Sequence, residues 1–318
     1  MEIQTLKYFL LIAKLGSLRQ ASDAGNLTPS AMSRQISLLE HSLGAKLFER
    51  RASGMALTAE GRAFVKYASR TVRDIDLATQ EIDEIRGLRR GHVTISTVEG
   101  AVTGLVYPMI ELYRRSHPEV TFDVVATGTG GVHASVESDD AEIGIAYNPA
   151  QDRDVRVVME LCRPTVLLCS PKSALRYMKN VSLRDLEDVP LGLLDHSFGT
   201  RRLIEEAVRA EDIRLSCDVT VNSVEMAKAY AKANLGATIL PAFAASQECA
   251  AGILCQVPLT EVIFQRALLS VCVRSGRELS RAADAFLDLL VRNADRLLWS
   301  ERPVFENRQQ HVREVAAP

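Results

Sequence analysis

The sequence predicts an α/β chain in three parts: a small, mainly helical head, one long amphipathic helix, and a larger body in which strands and helices alternate. Three observations predict it. Residues 17–51 compress capping residues, a turn and apolar repeats into the length of two short helices and a hairpin. Residues 64–85 carry apolar or small residues at alternating spacings of 4 and 3. From Val93 onward, short apolar runs recur between helix-length segments.

In the head, Ile3, Leu6, Phe9, Leu10 and Ala13 share one face of a first helix over residues 2–15. Ser17 is placed to cap a second helix, and Gln20 three residues on completes a capping box. Ala21 and Ala24 are small enough for another helix to cross closely. Gly25-Asn26 supplies a turn, where positive φ costs little, and Leu27 plugs the corner. Thr28 caps a third helix, with Pro29 at its first position, where a missing N–H costs nothing. Met32, Ile36, Leu39 and Leu43 make its buried stripe, and Gly44 ends it. Its other face carries Ser30, Ser33, Arg34 and Gln35. Short hydroxyls, an Arg and a Gln near a helix N-terminus suit base edges and phosphates in a major groove. Leu47-Phe48 then anchor a hairpin: Arg50-Arg51 are adjacent cations, Ala52-Ser53-Gly54 is a tight turn, and Met55 to Leu57 returns the chain to Thr58, the next cap. The plain alternative is a solvated αα-hairpin. The basic hairpin beside the third helix favours a winged helix-turn-helix.

A long helix follows, over residues 59–88. Phe64, Ala68, Thr71, Ile75, Ala78, Ile82 and Ile85 form a heptad seam. A head of this size has little surface to cover such a helix, so a partner chain is the expected cover. Gly87 and Gly91, with Arg89-Arg90 between, mark a hinge.

Residues 1–90 resemble the winged helix-turn-helix and linker helix of the LysR-type transcriptional regulators. Phe9, Ser17, Ala21, Leu27, Ala31, Ser33, Gln35, Ile36, Leu39, Glu40, Leu43, Gly44, Leu47, Phe48, Arg50, Leu57, Thr58 and Gly61 carry the resemblance. It implies a sequence-specific DNA-binding regulator. DNA contacts are expected from Ser30, Ser33, Arg34 and Gln35 on the third helix, from the capping hydroxyls of Ser17, Thr28 and Thr58, and from Arg50 and Arg51. Many members place Gln at the start of the recognition helix. Pro29 stands there in this chain, and that base contact does not carry over.

In the body, strands are predicted at Val93–Ser96, Val120–Val125, Glu142–Tyr147, Val155–Leu161, Thr165–Cys169, Leu191–Leu194, Cys217–Val221, Thr238–Leu240 and Ala267–Val273. Helices are predicted at Val102–Ser116, from the loop Thr127–Gly131 to about Glu137, at Leu183–Glu187, Thr200–Ala210, Val224–Ala233 and Leu279–Leu298. Strand, crossover helix, strand implies a largely parallel sheet, and the polar last dozen residues read as a loose tail. The body resembles the family's effector domain, two α/β lobes of the periplasmic-binding-protein type. The landmarks are Gly128-Thr129, Glu142 to Ala146, and Gly236 to Pro241. The resemblance suggests residues 1–58 as head, 59–90 as linker helix and 91–318 as effector domain, with lobe one at 91–161 and 267–300 and lobe two at 162–266.

Doubly wound sheets bind ligands at strand C-termini. Three loops are therefore candidates: Thr97 to Gly100, Thr127 to Gly131, and Asp195 to Arg201. The resemblance places effector contacts on Thr97, Glu99, Thr129, Ser197, Phe198, Asn222 and Ser223. Arg201 adds a cation for an anionic ligand. The implied partners are double-stranded DNA, a small-molecule effector such as an organic acid or similar metabolite, a second copy in a homodimer or homotetramer, and RNA polymerase. No cofactor is expected.

Composition narrows the alternatives. Residues 1–90 hold 14 Lys and Arg against 10 Asp and Glu, and the remainder holds 24 against 30. A basic head on an acidic body suits a nucleic-acid module joined to one that does not bind nucleic acid. No apolar run approaches the ~20 residues of a membrane span, and Leu6 to Leu15 is too short and too charged for a signal peptide. A cytoplasmic chain with reduced, mostly core cysteines is expected. The six cysteines and six histidines show no metal-ligand spacing. Asp195-His196-Ser197 is not a catalytic triad, because consecutive side chains point apart and no nucleophile elbow surrounds Ser197. An enzyme and a transport solute-binding protein are therefore set aside.

Overall fold

The structure is a computed structural model. It describes residues 2–51, 54–85 and 90–299, and the chain divides into two compact units between residues 88 and 89.

The first unit holds α1 (Ile3–Leu15), α2 (Leu18–Ala24), α3 (Pro29–Leu43), the antiparallel hairpin β1 (Phe48–Arg51) and β2 (Gly54–Leu57), and α4 (Ala59–Ile85). Its core closes around Phe9, whose ring meets those of Phe48 and Phe64 at 5.2 Å each. Caps fall where the sequence predicts them. Ser17 Oγ accepts from the Gln20 N–H at 3.4 Å, and Thr28 Oγ1 accepts from the Ala31 N–H at 3.3 Å.

Four local expectations change. The close crossing rests on Ala21 and Ser22, both fully buried, while Ala24 is exposed. Ser22 tolerates burial because its hydroxyl donates to Leu18 O at 2.7 Å. In the turn, Asn26 takes the left-handed conformation (φ 51°). Gly25 is needed for space: a Cβ there would lie 3.0 Å from Met32 Cε and 3.1 Å from Ala21 O. On α3, Leu43 is 40% exposed, and Glu40 is buried in its stead. The seam of α4 divides: Phe64, Ala68 and Val72 pack into the head core, whereas Thr71, Ala78 and Ile82 are exposed and Ile75 is half-buried. The side chain of Ile85, Ala52-Ser53 of the predicted turn, Gly87 and Arg89 of the hinge, and the tail beyond residue 299 lie outside the described residues.

The second unit begins with β3 (Gly91–Val98), α5 (Tyr107–Arg114), β4 (Val120–Thr127), α6 (Thr129–Glu137), β5 (Ile143–Tyr147) and β6 (Val155–Cys162). It continues with β7 (Thr165–Cys169), β8 (Leu191–Leu194), α7 (Gly199–Glu211), β9 (Cys217–Val221), α8 (Val224–Lys232), β10 (Ala237–Pro241), α9 (Ser246–Ala250), β11 (Cys255–Pro258) and α10 (Val262–Gln265). It ends with β12 (Leu268–Arg274) and α11 (Arg281–Trp299). The strands form two five-stranded sheets with the same plan, β4-β3-β5-β12-β6 and β9-β8-β10-β7-β11. In each, four strands run in one direction and one, β12 or β7, runs against them. The sheets are thus largely parallel in direction, as expected, but each carries one reversed strand. The reversed strands β7 and β12 are the ones that enter from the other sheet, after β6 and β11, so neither needs a crossover helix between parallel neighbours.

The helix predicted over 102–116 also differs. Residues Glu99–Ala101 form a 3₁₀ turn and Val102–Val106 a π turn before α5 begins. Pro108 is the physical reason: it lacks an N–H and its ring pushes back the carbonyl four residues earlier. The Tyr107 N–H reaches back to Val102 O, five residues away. The helix predicted at 183–187 shortens to one 3₁₀ turn, Arg184–Leu186. Strand β11 and helices α9 and α10 lack periodic apolar patterns and are not legible in the sequence.

Candidate functional site

Two surfaces gather the predicted site residues. The first is the exposed face of the head. Ser30 and Arg34 are exposed and Ser33 half-buried along α3, and Arg50 and Arg51 are exposed on β1. The hairpin is fixed to α3 by Glu40. One carboxylate oxygen accepts the N–H groups of Leu47 (2.9 Å) and Phe48 (3.2 Å), and the other meets Lys46 Nζ at 2.6 Å. Burial works to raise the Glu40 pKa, but these bonds and the Lys46 charge outweigh it and hold the carboxyl below its ordinary value.

Some predicted contacts are engaged within the head. Gln35 Oε1 accepts from Thr5 Oγ1 of α1 at 3.0 Å, so its amide is not free for a bidentate base contact. Thr58 Oγ1 accepts from the Gly61 N–H at 2.9 Å and donates to Lys46 O at 2.7 Å, which leaves no proton for a phosphate. Arg51 is bonded to Glu49. Ser17 and Thr28 accept backbone N–H groups as caps, and the Thr28 hydroxyl also meets Ser30 Oγ at 3.2 Å.

The second surface is the cleft where the C-terminal ends of the parallel strands of the two sheets face each other. It holds a cavity of about 20 Å³, with room for roughly one water. Val98, Glu99, Thr129, Leu194, Phe198 and Val224 are among its walls. Three of the predicted effector residues thus meet there: Glu99, Thr129 and Phe198.

They also stitch the sheets together. Thr129 Oγ1 donates to Tyr147 O at 2.9 Å and accepts the Gly199 N–H, from the other side, at 3.2 Å. Glu99 reaches across to the start of α8, where its carboxylate accepts Ser223 Oγ–H (2.8 Å), the Val224 N–H (2.7 Å) and the Glu225 N–H (3.3 Å). A carboxylate at this end of a helix meets unpaired N–H groups and the favourable end of the dipole. Glycine makes the approach possible. A Cβ on Gly199 would lie 1.9 Å from Tyr147 O, one on Gly128 2.5 Å from Ser197 O, and one on Gly100 2.8 Å from Ala244 Cβ. These glycines lie in the three candidate loops, though none is among the effector contacts that the resemblance implies. Gly128 and Gly199 each stand immediately before or at a helix start after a strand, which is the available signal.

Other predictions move. Thr97 is fully buried, and neither it nor the exposed Asn222 lines the cavity. Arg201 does not aim a cation into the cleft: its Nε pairs with Glu205 at 2.8 Å, one turn along α7. Burial opposes the Arg201 charge, but its bond to Glu205 offsets this and the pKa is raised. Asp195 and Ser197 do not point apart as expected. The Ser197 hydroxyl and N–H both donate to Asp195 Oδ1, at 2.6 and 2.9 Å, and keep that carboxyl below its ordinary pKa. His196 turns instead to Glu205 at 2.9 Å, so no relay through histidine exists. Of the six cysteines, only Cys169 and Cys272 are buried. Burial raises those two thiols, to about 11 and about 12.

The model of the LysR substrate binding domain matches residues 86–295. That of the bacterial regulatory helix-turn-helix proteins of the lysR family matches residues 3–62. The chain belongs to the LysR family. It is 25% identical over 300 residues to the HTH-type transcriptional regulator YbhD of Escherichia coli (strain K12), across 94% of this chain and 92% of YbhD. Its fold is similar to full-length CbnR solved with its target DNA (TM-score 0.62, 20% identity, 92% of this chain and 100% of that one). The second unit is similar to the regulatory domain of CcmR from Synechocystis PCC6803 in complex with 2-PG (TM-score 0.58, 16% identity, 64% of this chain and 97% of that one). This LysR-family chain is a ligand-responsive, DNA-binding transcriptional regulator, with a winged helix-turn-helix head and a two-lobed α/β effector domain. No helix among the described residues is long and apolar enough to cross a membrane.

Proposed function

We propose that this regulator reads DNA with Ser30, Ser33 and Arg34 in a major groove. Arg50, Arg51, Ser17 and Thr28 hold the flanking phosphates, and Gln35 and Thr58 brace the head from within. In this reading residues 1–58 are the head, 59–90 the linker helix and 91–318 the effector domain. Lobe one comprises 91–161 and 267–300, and lobe two 162–266. The exposed half of the α4 seam pairs two chains as a homodimer, which a homotetramer can contain, and RNA polymerase is the downstream partner. The chain works in the cytoplasm and turns over no substrate.

The effector occupies the cleft between the sheets. The carrying observation is the bridge from Glu99 to the start of α8, which ties one lobe to the other at the cavity wall. A ligand that enters must rearrange this bridge, so its binding is coupled to lobe arrangement and through it to the spacing of the two heads. Two relatives support the reading: CbnR was solved on its target DNA, and the CcmR regulatory domain with 2-PG.

Gel shifts on cognate and random duplexes test the DNA half. Arg34→Ala and Ser33→Ala are each expected to weaken specific binding by ~1–3 kcal/mol. Arg50→Ala is expected to weaken binding to both duplexes and flatten its salt dependence. No loss in any of these variants removes the groove assignment.

A further inference from the structure

Among the residues lining the cleft cavity, Glu99 alone is charged. Arg201, the cation expected there, is held by Glu205. The other walls are mostly apolar, with Leu194, Phe198, Val224 and Phe243 prominent among them. In the cleft the Glu99 carboxylate rests on Ser223, Val224 and Glu225 at the start of α8. Glu99 is only half-buried, so it can leave that position without crossing a packed core.

An incoming acid meets a difficulty here. The donors that suit it are filled by the protein's own carboxylate. Displacing that group leaves two negative charges facing each other across an apolar cleft with no cation on its wall. A cationic amine alone neutralises Glu99, but it strips the start of α8 of its acceptor. A molecule carrying both groups resolves each problem: its carboxylate replaces Glu99 on the α8 donors, and its ammonium pairs with the released Glu99. Building on the cleft reading above, we propose that the effector is a small zwitterion of the amino-acid type, with an apolar side chain that packs against Phe198 and Phe243.

Calorimetric titration of the full chain with matched probes tests this. The probes are L-phenylalanine and L-leucine, their des-amino acids 3-phenylpropanoate and 4-methylpentanoate, and the amines phenethylamine and isoamylamine. At least one amino acid is expected to bind tenfold or more tightly than both its des-amino acid and its amine. In Glu99→Gln the preference over the des-amino acid should fall to near unity. Glu99→Asp, which keeps the charge, should retain part of it. Circular dichroism confirms that each variant is folded. Three results overturn the proposal: a des-amino acid that binds wild type as tightly as its amino acid, a preference that survives Glu99→Gln, or failure of all six probes to bind. The first of these leaves the cleft itself standing as the effector site and removes only the amine; so does the second, if Gly199→Ala still abolishes binding.

Discussion

Replacing Glu40 with Ala is expected to unfasten the wing from the recognition helix and to destabilise the head measurably. The Glu40 side chain is 8% exposed, and it accepts the N–H groups of Leu47 and Phe48, residues that are themselves buried. Each buried donor left without a partner costs about 1–3 kcal/mol. Lys46 is 76% exposed, so its ion pair adds only about 0–1 kcal/mol. The Ala variant should therefore lose about 2–7 kcal/mol, and Glu40→Gln, which keeps one acceptor oxygen, about 1–2 kcal/mol. The pH dependence has a fixed sign. The folded carboxyl titrates below the unfolded one, so its contribution is fully present above the ordinary glutamate range and is lost as the pH falls through the folded value. The Gln variant should lack that slope. Urea unfolding followed by far-UV circular dichroism reads the helices of both units, so it is run on the full chain and on residues 90–318 in parallel. The transition present only in the full chain should shift, and the one shared with residues 90–318 should not. If Glu40→Ala unfolds at the wild-type midpoint with an unchanged acid limb, the anchor described here contributes nothing.

Two further outcomes are expected. Ile75→Asp together with Ile82→Asp places charges in the exposed half of the α4 seam and should convert a dimer to monomers in sedimentation; an unchanged dimer would put the seam elsewhere. Thr129→Val keeps shape but strands the buried Gly199 N–H, so closure of the cleft should weaken by about 1–3 kcal/mol. Hydrogen exchange at the start of α7 should quicken accordingly, and unaltered exchange would deny Thr129 its bridging role.

The local features of this chain were legible because neighbours in sequence decide them. Ser17, Thr28 and Thr58 cap the helices that follow them within three residues, and the strand–helix alternation of the body gave most elements within a few residues. Features decided at a distance were not legible. Thr5 takes up Gln35 from thirty positions away, and the wing draws Glu40 rather than Leu43 inward. The antiparallel setting of β12 follows from its re-entry out of the other sheet, which no window of residues contains. Glu99 was marked as a cleft residue, but its partners lie 124 to 126 positions on. The pairing of Arg201 is legible in the sequence, since Glu205 stands one helical turn along and competes for it.

In the proposed mechanism a molecule in the cleft and DNA on the head bias one shared equilibrium. Calorimetric titration of a stabilising metabolite into the full chain, with and without its operator duplex, tests this most directly. Two different affinities are expected, in the same ratio by which the metabolite changes the affinity for DNA. Equal affinities in the two titrations, with DNA affinity unmoved by the ligand, would contradict the mechanism.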